Sequence, residues 1–552
     1  MELEEVARKF ALRNAVEHEG TANPGSVIGQ IINDAGAEPQ EAQEIAGKIV
    51  SEVNQMSLEE QTEKLQSYEF EEKEHEHDPI PDLNVDEDEE VVVRFAPNPN
   101  GPPHLGHARG MTINGELRDK YDGKLILRYD DTDPVTKRPL KQAYEMYAED
   151  FEWLGYKPDE IRYSSKNFDT YIEYAEKLIE KGKAYVCKCS QEEGQKYRNE
   201  GEACPHRDQS AEENMDLWSQ MKDGGLDEGE ATLKIKTDIE HKNPAVRDFV
   251  AFRIIEDPDH PITGDEYRVW PMLDFAGGIE DHVMGTTHIV RGKDLRASTD
   301  RQKYVYDYFG WEYPDVRYWG TVQVSGFDAP MSTSTIAEMV ADGELEGWDD
   351  PRCGTLRALR KRGFQPEAIR EFFIEMGVTE KDAEASVETL ESKNRDIVES
   401  SSRHFFVENP VEIEITGFPE DKQAILPLHP DHPDRGDRNI ELDRENNALK
   451  ILIEKQDLED GFMRLKGLCN IEVDKDTAEF VEGDHTEAVE RDAPIVHWLP
   501  ASSPEATLVY PDGSEVSGKI EKADIEIGEV IQFERVGFAR KDADSEYYFT
   551  HR

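Results

Sequence analysis

Residues 94–107 read Arg-Phe-Ala-Pro-Asn-Pro-Asn-Gly-Pro-Pro-His-Leu-Gly-His and directly follow three valines. This order predicts a strand, then a Pro/Gly loop that cannot continue it, then a helix over 108–121 with His104 and His107 on its first turn. A helix N-terminus offers unpaired N–H groups and a partial positive charge, so a nucleotide phosphate can bind there. The two histidines share a face and can add donors, and Gly106 lets a flat base approach the backbone.

The rest of the chain predicts an α/β fold of the split Rossmann kind. Strand and helix patterns alternate on both sides of a segment rich in Gly and charge, and ligands of such folds bind at the carboxyl ends of the strands. Helices are predicted up to 380–397, and short strands with turn signals beyond Phe405 indicate β-barrels. The expected regions are a helical appendage (1–67), an acidic linker (68–90), a first Rossmann half (91–185), an insertion (186–270), a second half (271–335), a helical region (336–404) and β-barrels (405–552).

Composition indicates a multidomain protein of the cytoplasm. The 552 residues include five cysteines, which argues against a disulfide framework and for a reducing compartment. No apolar run approaches the length of a membrane span, and there is no basic leader followed by an apolar segment. We expect a soluble monomer that does not bind membranes.

The charge balance is unusual, because 121 acidic residues face 64 basic ones and leave a formal net charge of −57. Proteins that bind nucleic acid are usually basic, so this balance alone argues against an RNA partner. The acids are spread over the whole chain, however, which indicates a surface adapted to molar salt, where the Debye length is about 3 Å. We therefore predict a haloarchaeal protein; the alternative is an acidic chain at ordinary salt.

The stretch 94–107 resembles the HIGH signature of class I aminoacyl-tRNA synthetases, in the form His-Leu-Gly-His, and its flanks resemble the glutamyl/glutaminyl branch. A bare His-x-Gly-His also occurs by chance, in a simple helix cap, and in small nucleotidyltransferases. The resemblance implies a class I catalytic domain with an acceptor-binding insertion, a helical stem-contact region and C-terminal anticodon-binding barrels. The resemblance covers about residues 91–552. The interpretation of the first ninety residues depends only on their pattern of helices and linker.

The resemblance also assigns a glutamate site. Asp130, the first acid of Asp130-Asp-Thr-Asp, matches the residue that binds the substrate's amino group, although such a run is also typical of a capped turn. Arg94 and Arg291 match the two arginines that contact the substrate's side-chain carboxylate, which a guanidinium can bind with two parallel hydrogen bonds. Since glutaminyl enzymes have an uncharged residue at the position of Arg291, this residue favours glutamate; the alternative is a surface cation. Ala96 and Asp274 complete the site, whereas Leu273 stands where the family usually has tyrosine.

For ATP, the resemblance assigns His104 and His107 as catalytic residues, with Mg²⁺ bridging the phosphates. The further ATP-binding residues are Pro97, Asn98, Gly106, Gly292, Met331, Ser332 and Ser334. The last three lie in Pro330-Met-Ser-Thr-Ser334, which takes the place of the KMSKS loop but lacks both lysines. Lys293 and Arg317 are candidate substitute cations.

Two pairs of candidate metal ligands lie in the insertion. Cys187 and Cys189 are followed, after fourteen residues, by Cys204 and His206. Four such ligands suit tetrahedral zinc, and the alternative is a set of unpaired buried cysteines.

The predicted function is ligation of L-glutamate to tRNA(Glu), through a glutamyl-adenylate formed from ATP. The segment Pro244–Arg253 resembles the family's acceptor-stem contact and Val530–Arg540 its last barrel, and tRNA(Gln) is a further candidate partner. The alternatives are a glutamine–tRNA ligase, a small-molecule nucleotidyltransferase and a non-catalytic RNA-binding relative.

Overall fold

The computed structural model describes residues 3–17, 20–23, 27–28, 31, 39–65, 68, 80, 82–85, 89–445, 447–475 and 477–552. The chain divides into two compact units, 1–78 and 79–552. Most of the acidic segment predicted as a linker lies outside the described residues. Among the described residues, no helix combines the length and the apolar character that crossing a bilayer requires.

The first unit is helical. The helices whose bounds fall within the described residues are Leu3–Glu17, Pro39–Val53 and Leu58–Leu65. Their apolar faces meet in a core that includes Leu12 and Ile49. Gln61 is fully buried and donates to the carbonyl oxygens of Gly20 and Val53, at 3.0 and 2.9 Å, which ties the loops to the last helix.

A parallel sheet forms the centre of the second unit. Val92–Phe95, Lys124–Tyr129 and Glu160–Tyr163 pair in parallel, as do His288–Gly292 and Asp315–Trp319. Thr287 joins the two groups, because its N–H donates to the carbonyl of Val92 at 3.0 Å. The sheet is buried on both faces, as expected for a covered parallel sheet, because Leu125 on one face and Ile126 on the other are both fully buried. The helices that cover it are Leu105–Tyr121, Lys141–Trp153, Leu273–Val283 and Arg296–Phe309.

The insertion is built on a four-stranded antiparallel sheet. Its strands are Ala184–Cys187, Thr232–Ile235, Val250–Ile254 and Val269–Pro271. The helix Phe168–Glu180 leads into the insertion, and the helices within it are Gln191–Glu200 and Ala211–Asp223. A short 3₁₀ turn lies in the insertion at Pro244–Val246, and two others lie outside it at Ser164–Asn167 and Lys293–Leu295. The last strand leads directly into the helix Leu273–Val283 of the central sheet.

The region that follows corrects one prediction. Its helices are Thr333–Ala341, Leu356–Arg362, Pro366–Met376 and Val387–Val398. The prediction of a continuous helix over 380–397 is wrong, since Ala383–Ser386 is a strand paired in parallel with Val322–Ser325. This long-range pairing outweighs the helical propensity of an Ala- and Glu-rich segment.

The C-terminal part consists of two barrel-like sheets. Together with the parallel sheet and its covering helices, they confirm the predicted α/β fold with C-terminal β-barrels. The first sheet runs, in spatial order, Arg403–His404, Val530–Phe533, Gly537–Ala543, Glu546–His551, Glu505–Val509, Glu515–Ile520 and Phe406–Glu408. The second runs Arg444–Glu445, Ala448–Glu454, Pro410–Thr416, Thr477–Val481, Cys469–Asp474, Gly461–Leu465 and Ile495–Val496, with Leu499–Pro500 beside Ala448–Glu454. The remaining elements are the hairpin Ala424–Pro427 and Asp437–Ile440, the helix His485–Glu490, and the 3₁₀ turns Pro433–Arg435 and Lys455–Asp457.

Candidate functional site

The carboxyl ends of four parallel strands converge on one cavity of about 190 Å³, which we call the arginine cavity. This is the edge at which ligands of open α/β sheets bind. Its wall consists of Arg94, Phe95, Ala96, Arg128, Asp130, Leu273, Asp274, Gly277, Val290, Arg291, Gly292, Leu295, Ser298, Gln302 and Trp319. All five residues predicted to bind glutamate therefore line a single cavity.

Two guanidinium groups and two carboxylates form a buried, hydrogen-bonded network at this wall. Asp281 accepts from Arg94 Nε at 3.0 Å and from Arg128 Nη1 at 2.8 Å. Arg128 Nε also donates to Asp130 Oδ1 at 2.7 Å. Burial alone would raise the pKa of Asp281, but the guanidinium groups of Arg94 and Arg128 hold it below its usual value. Together with Arg291, the group carries one more positive than negative charge.

Arg291 is the cation that this network leaves over. Arg291 is only 6 % exposed, so the alternative that it is a surface cation is wrong. Its Nη2 donates to Gln302 Oε1 at 3.1 Å and to Tyr313 Oη at 2.9 Å, both of which are uncharged acceptors. Its Nε has no hydrogen-bond partner among the described residues. A buried donor without a partner is costly, and a bound carboxylate would satisfy it.

The signature helix, Leu105–Tyr121, begins with a cap made by its own histidines. His104 is the N-cap residue, and its Nδ1 accepts from the N–H of Gly106 at 3.1 Å. His107 Nδ1 accepts in turn from the N–H of His104 at 3.2 Å. Because both Nδ1 atoms accept, each neutral ring carries its proton on Nε2, where it can be donated to a ligand.

Both histidines are neutral in the free protein at pH 7. Burial lowers the pKa of His104 to about 4. Burial, and then the neighbouring His104 ring, hold the pKa of His107 well below its ordinary value. The rings lie 3.9 Å apart between centroids, so two charged imidazoles would repel each other.

A second cavity of about 420 Å³, the helix-end cavity, begins at Gly106. It shares Gly292 and Trp319 with the arginine cavity, so the two are adjacent. A side chain at position 106 would meet the His104 ring, with a Cβ only 2.9 Å from His104 Cε1. Glycine is therefore required by the cap itself as well as by the open space beside it.

Several of the other predicted residues support the cavity wall. The carbonyl of Pro97 accepts from the N–H of Asp130 at 2.9 Å, and Asn98 Nδ2 donates to the carbonyl of Asp130 at 3.0 Å. The loop thus holds Asp130 in place. Asp274 accepts from Arg301, which also donates to the carbonyl of Ala245 in the predicted acceptor-stem segment.

The loop Pro330–Ser334 packs against the signature stretch. A side chain on Gly101 would collide with Thr333, and one on Gly354 would come within 2.8 Å of Met331 Sδ. Ser332 Oγ lies 3.2 Å from Ser334 Oγ. Met331, Ser332 and Ser334 line neither of the two cavities.

The two candidate substitute cations are already paired. Lys293 Nζ lies 2.7 Å from Asp382 Oδ2. Arg317 Nη2 lies 3.0 Å from Asp315 Oδ2. Neither is therefore poised as a free positive charge.

The predicted metal ligands are brought together in the insertion, where the ligand atoms of Cys187, Cys189, Cys204 and His206 all lie within 4.8 Å of one another. Cys187 Sγ lies 3.6 Å from Cys204 Sγ, and His206 Nδ1 lies 3.5 and 3.9 Å from the sulfurs of Cys189 and Cys204. A tetrahedral zinc bound by sulfur and nitrogen would hold its ligands about 3.5–3.8 Å apart.

Sequence reasoning missed four residues of the arginine cavity network, namely Arg128, Asp281, Gln302 and Tyr313. Two of them carried a signal. Arg128 lies two residues before Asp130 at a strand end and therefore shares its side of the sheet. Asp281 lies two helical turns after Asp274, on the same helix face.

Comparisons with known proteins agree with this site. The model of the tRNA synthetases class I (E and Q) catalytic domain matches residues 90–400, and that of their anti-codon binding domain matches 401–491. A glutamate–tRNA ligase of Archaeoglobus fulgidus is 44% identical over 560 residues, with 100% of each chain covered. Those of Pyrococcus furiosus and Haloarcula marismortui are 45% and 42% identical, covering 98% and 99% of this chain and 98% of each relative. The family predicted from the sequence is confirmed: the chain belongs to the class I tRNA synthetases of the glutamyl and glutaminyl (E and Q) type.

Proposed function

We propose that the chain attaches L-glutamate to tRNA(Glu) in two steps at the expense of ATP. The observation that carries this proposal is the charge of the arginine cavity, where Arg291 makes no direct ion pair with a carboxylate among the described residues. An acidic side chain neutralises that excess, whereas the neutral amide of glutamine does not. The glutamate–tRNA ligases that match the chain over its full length support the same choice.

In the first step, the α-carboxylate of glutamate attacks the α-phosphorus of ATP and releases pyrophosphate. Arg291 and Arg94 hold the side-chain carboxylate, and Asp130 receives the α-amino group. The Nε2–H groups of His104 and His107 donate to the phosphates, which enter as the Mg²⁺ complex. Positioning and charge stabilisation then lower the barrier without a covalent intermediate on the protein.

In the second step, a terminal ribose hydroxyl of tRNA attacks the carbonyl carbon of the glutamyl-adenylate, and AMP leaves. The segment Pro244–Arg253 contacts the acceptor stem, and the region 405–552 reads the anticodon by stacking and base-edge contacts. The remaining domain assignments are those predicted from the sequence. The hydrogen bond from Arg301 to the carbonyl of Ala245, together with its ion pair to Asp274, links the acceptor segment to the arginine cavity.

We further propose that Cys187, Cys189, Cys204 and His206 bind one structural zinc ion. The spacing of their ligand atoms, 3.5–4.0 Å for the contacting pairs, supports a tetrahedral site. Purified protein should contain one equivalent of zinc, and Cys204→Ser should lose it and destabilise the insertion. Cys469→Ser is the control, because Cys469 is buried in the C-terminal sheet. Retention of zinc by the Cys204 variant would contradict the assignment.

The proposed function is tested by ATP–pyrophosphate exchange in molar KCl, with and without tRNA(Glu). Exchange should depend on glutamate and should remain at background with glutamine at the same concentration. Exchange with glutamine alone would identify a glutamine–tRNA ligase instead. No exchange with any amino acid, in the presence of tRNA, would favour a non-catalytic RNA-binding relative.

A further inference from the structure

Arg109 is a buried cation beside the active site to which no role has been assigned above. It lies on the second turn of the signature helix, is 3 % exposed and lines the helix-end cavity. Its Nη1 donates to the carbonyl of Gly320 at 2.8 Å and its Nη2 to the carbonyl of Gly377 at 2.9 Å. Its fork thus joins two loops that are distant in sequence.

The charge of Arg109 is not neutralised by an ion pair in the described part of the chain. None of the ion pairs there includes Arg109, and its Nε has no hydrogen-bond partner among the same residues. Two carbonyl dipoles satisfy N–H groups but leave the net charge in place. A buried cation without a counter-ion is costly, and a nearby anion would lower that cost.

The surroundings of Arg109 are suited to a nucleotide. Its guanidinium carbon lies 5.2 Å from the ring centroid of Trp319, which also lines the cavity. Gly106, Thr321 and Phe373 add a helix N-terminus, a hydroxyl and an apolar surface. Asp294 is the one acid among the lining residues, and its Oδ1 lies against Gly292 instead of pairing with Arg109.

Two further observations point to the same ligand. The helix-end cavity adjoins the arginine cavity at Gly292 and Trp319, where an amino acid and a nucleotide would have to meet. The loop Pro330–Ser334 has no lysine, and Lys293 and Arg317 are engaged by acids. Arg109 is thus a positive charge in the cavity wall that is not consumed by a carboxylate.

We propose that Arg109 is a positioning residue of the ATP site, which holds the Gly320 and Gly377 carbonyls and Trp319 in place and favours a polyanionic nucleotide by its charge. The proposal rests on the proposed function, since it requires ATP as the ligand. It distinguishes two contributions. The two hydrogen bonds of the guanidinium group shape the cavity for any adenine compound. The positive charge of Arg109, in contrast, strengthens the binding only of ligands that carry phosphates.

The experiment compares Arg109→Lys and Arg109→Met in glutamate-dependent pyrophosphate exchange, with adenosine as a competitive inhibitor of ATP. The KM for ATP should rise by about tenfold in Arg109→Met and by less in Arg109→Lys, which keeps the charge. The inhibition constant of adenosine should change equally in both variants, and by less than the KM for ATP does in Arg109→Met. Arg118→Met is the matched control, because Arg118 lies on the same helix but contacts Asp119 and the carbonyl of Lys157.

The outcomes separate the proposal from its alternatives. An equal loss for ATP and adenosine in both variants would show a structural role only and would overturn the claim about charge. An unchanged KM for ATP in Arg109→Met would overturn the whole assignment. If Arg109→Met does not fold, Arg109→Gln takes its place, because it also removes the charge. A KM for ATP that rises no more than the inhibition constant of adenosine in that variant would again overturn the claim about charge. Absence of exchange in the parent protein would instead contradict the proposed function.

Discussion

At the scale of single residues, the site depends on which cations are already neutralised. Arg94 and Arg128 share Asp281, and Arg128 also holds Asp130. Arg291 is the arginine of this group whose contacts, Gln302 and Tyr313, are uncharged. The selectivity for an acidic substrate is therefore expected to reside in Arg291.

Arg291→Gln should weaken glutamate binding and reduce the preference for glutamate over glutamine. A hydrogen bond to a charged group is worth about 1.5–3 kcal/mol, so the KM for glutamate should rise by roughly tenfold to a hundredfold. Steady-state pyrophosphate exchange at varied glutamate measures this change. Arg162→Gln is a control, since Arg162 pairs with Glu160 and does not line the cavity. A variant at Arg291 that activates glutamate as well as the parent would refute the assignment.

A second prediction concerns the protonation of the signature histidines as a function of pH. The pKa of His104 is lowered to about 4 by burial, so its ring should stay neutral in the free protein from pH 8 down to pH 5. An ATP phosphate beside it favours the imidazolium, and the pKa should rise on binding. Titration of ¹⁵N-histidine-labelled protein by NMR, with and without ATP, measures both states. A free-protein pKa near 6.5 would contradict the buried cap described here.

The residue types of the site could be predicted from the sequence, but their partners could not. Arg94, Asp130 and Arg291 each stand at the end of a predicted strand, and such ends meet at one edge of a parallel sheet. The pairing of Arg94 with Asp281 depends on side-chain conformations across 187 residues of sequence separation. No local pattern records such a contact.

At the scale of elements, the helix Leu356–Arg362 connects the signature stretch to the C-terminal sheets. At its N-terminal side, the N–H of Leu105 donates to the carbonyl of Gly354, and the N–H of Leu356 donates to that of Pro103. At its other end, Arg362 Nη2 donates to the carbonyl of Thr550 at 3.1 Å. One helix of seven residues thus touches both the loop before His104 and the last strand of the chain.

Loss of the cap of this helix should disturb catalysis more than glutamate binding. Thr355 Oγ1 accepts from the N–H of Ala358 at 3.1 Å and donates to the carbonyl of Trp348. Thr355→Val should cost about 1 kcal/mol of unfolding free energy, a typical value for an N-cap. It should also lower kcat for exchange, because Thr355 forms a β-bridge with His104. The KM for glutamate should change little, because Thr355 does not line the arginine cavity.

Denaturant unfolding and steady-state exchange check this prediction together. Ser190→Ala removes a comparable N-cap in the insertion, where Ser190 Oγ accepts from the N–H of Glu193. It should show a similar loss of stability with normal kcat for exchange. Equal effects of both variants on kcat would argue against a special role for the helix Leu356–Arg362.

The helix predicted over 380–397 shows where local patterns end. The Ala- and Glu-rich segment before Val387 favours a helix by propensity, yet Ala383–Ser386 pairs with Val322–Ser325 about sixty residues earlier. The signature helix, by contrast, was predicted because its glycines, prolines and histidines act locally. Its observed start at Leu105 differs from the predicted start at 108 because His104 itself provides the cap.

At the scale of the whole molecule, the net charge of −57 makes stability depend on salt. Repulsion between like charges destabilises a compact state, and molar salt reduces the range of that repulsion to about 3 Å. The haloarchaeal origin that the composition suggests stays a prediction.

Raising KCl from 0.2 to 3 M should therefore raise the midpoint of thermal unfolding. We expect an increase of roughly 10 °C or more. Because each kcal/mol of unfolding free energy shifts the midpoint of a large domain by about 2–4 °C, this increase corresponds to about 2.5–5 kcal/mol. Circular dichroism at both salt concentrations measures it. Sucrose at matched osmolality is the control, because it favours burial without screening charge. A midpoint that is unchanged by KCl but raised by sucrose would contradict the electrostatic explanation.

The central claim is tested most directly by a crystal structure with a non-hydrolysable analogue of glutamyl-adenylate. The side-chain carboxylate should lie about 2.7–2.9 Å from guanidinium nitrogens of Arg291, and the phosphate should accept from Nε2 of His104 or His107. The adenine should occupy the helix-end cavity beside Trp319. A carboxylate bound away from Arg291, or a nucleotide outside that cavity, would contradict the account.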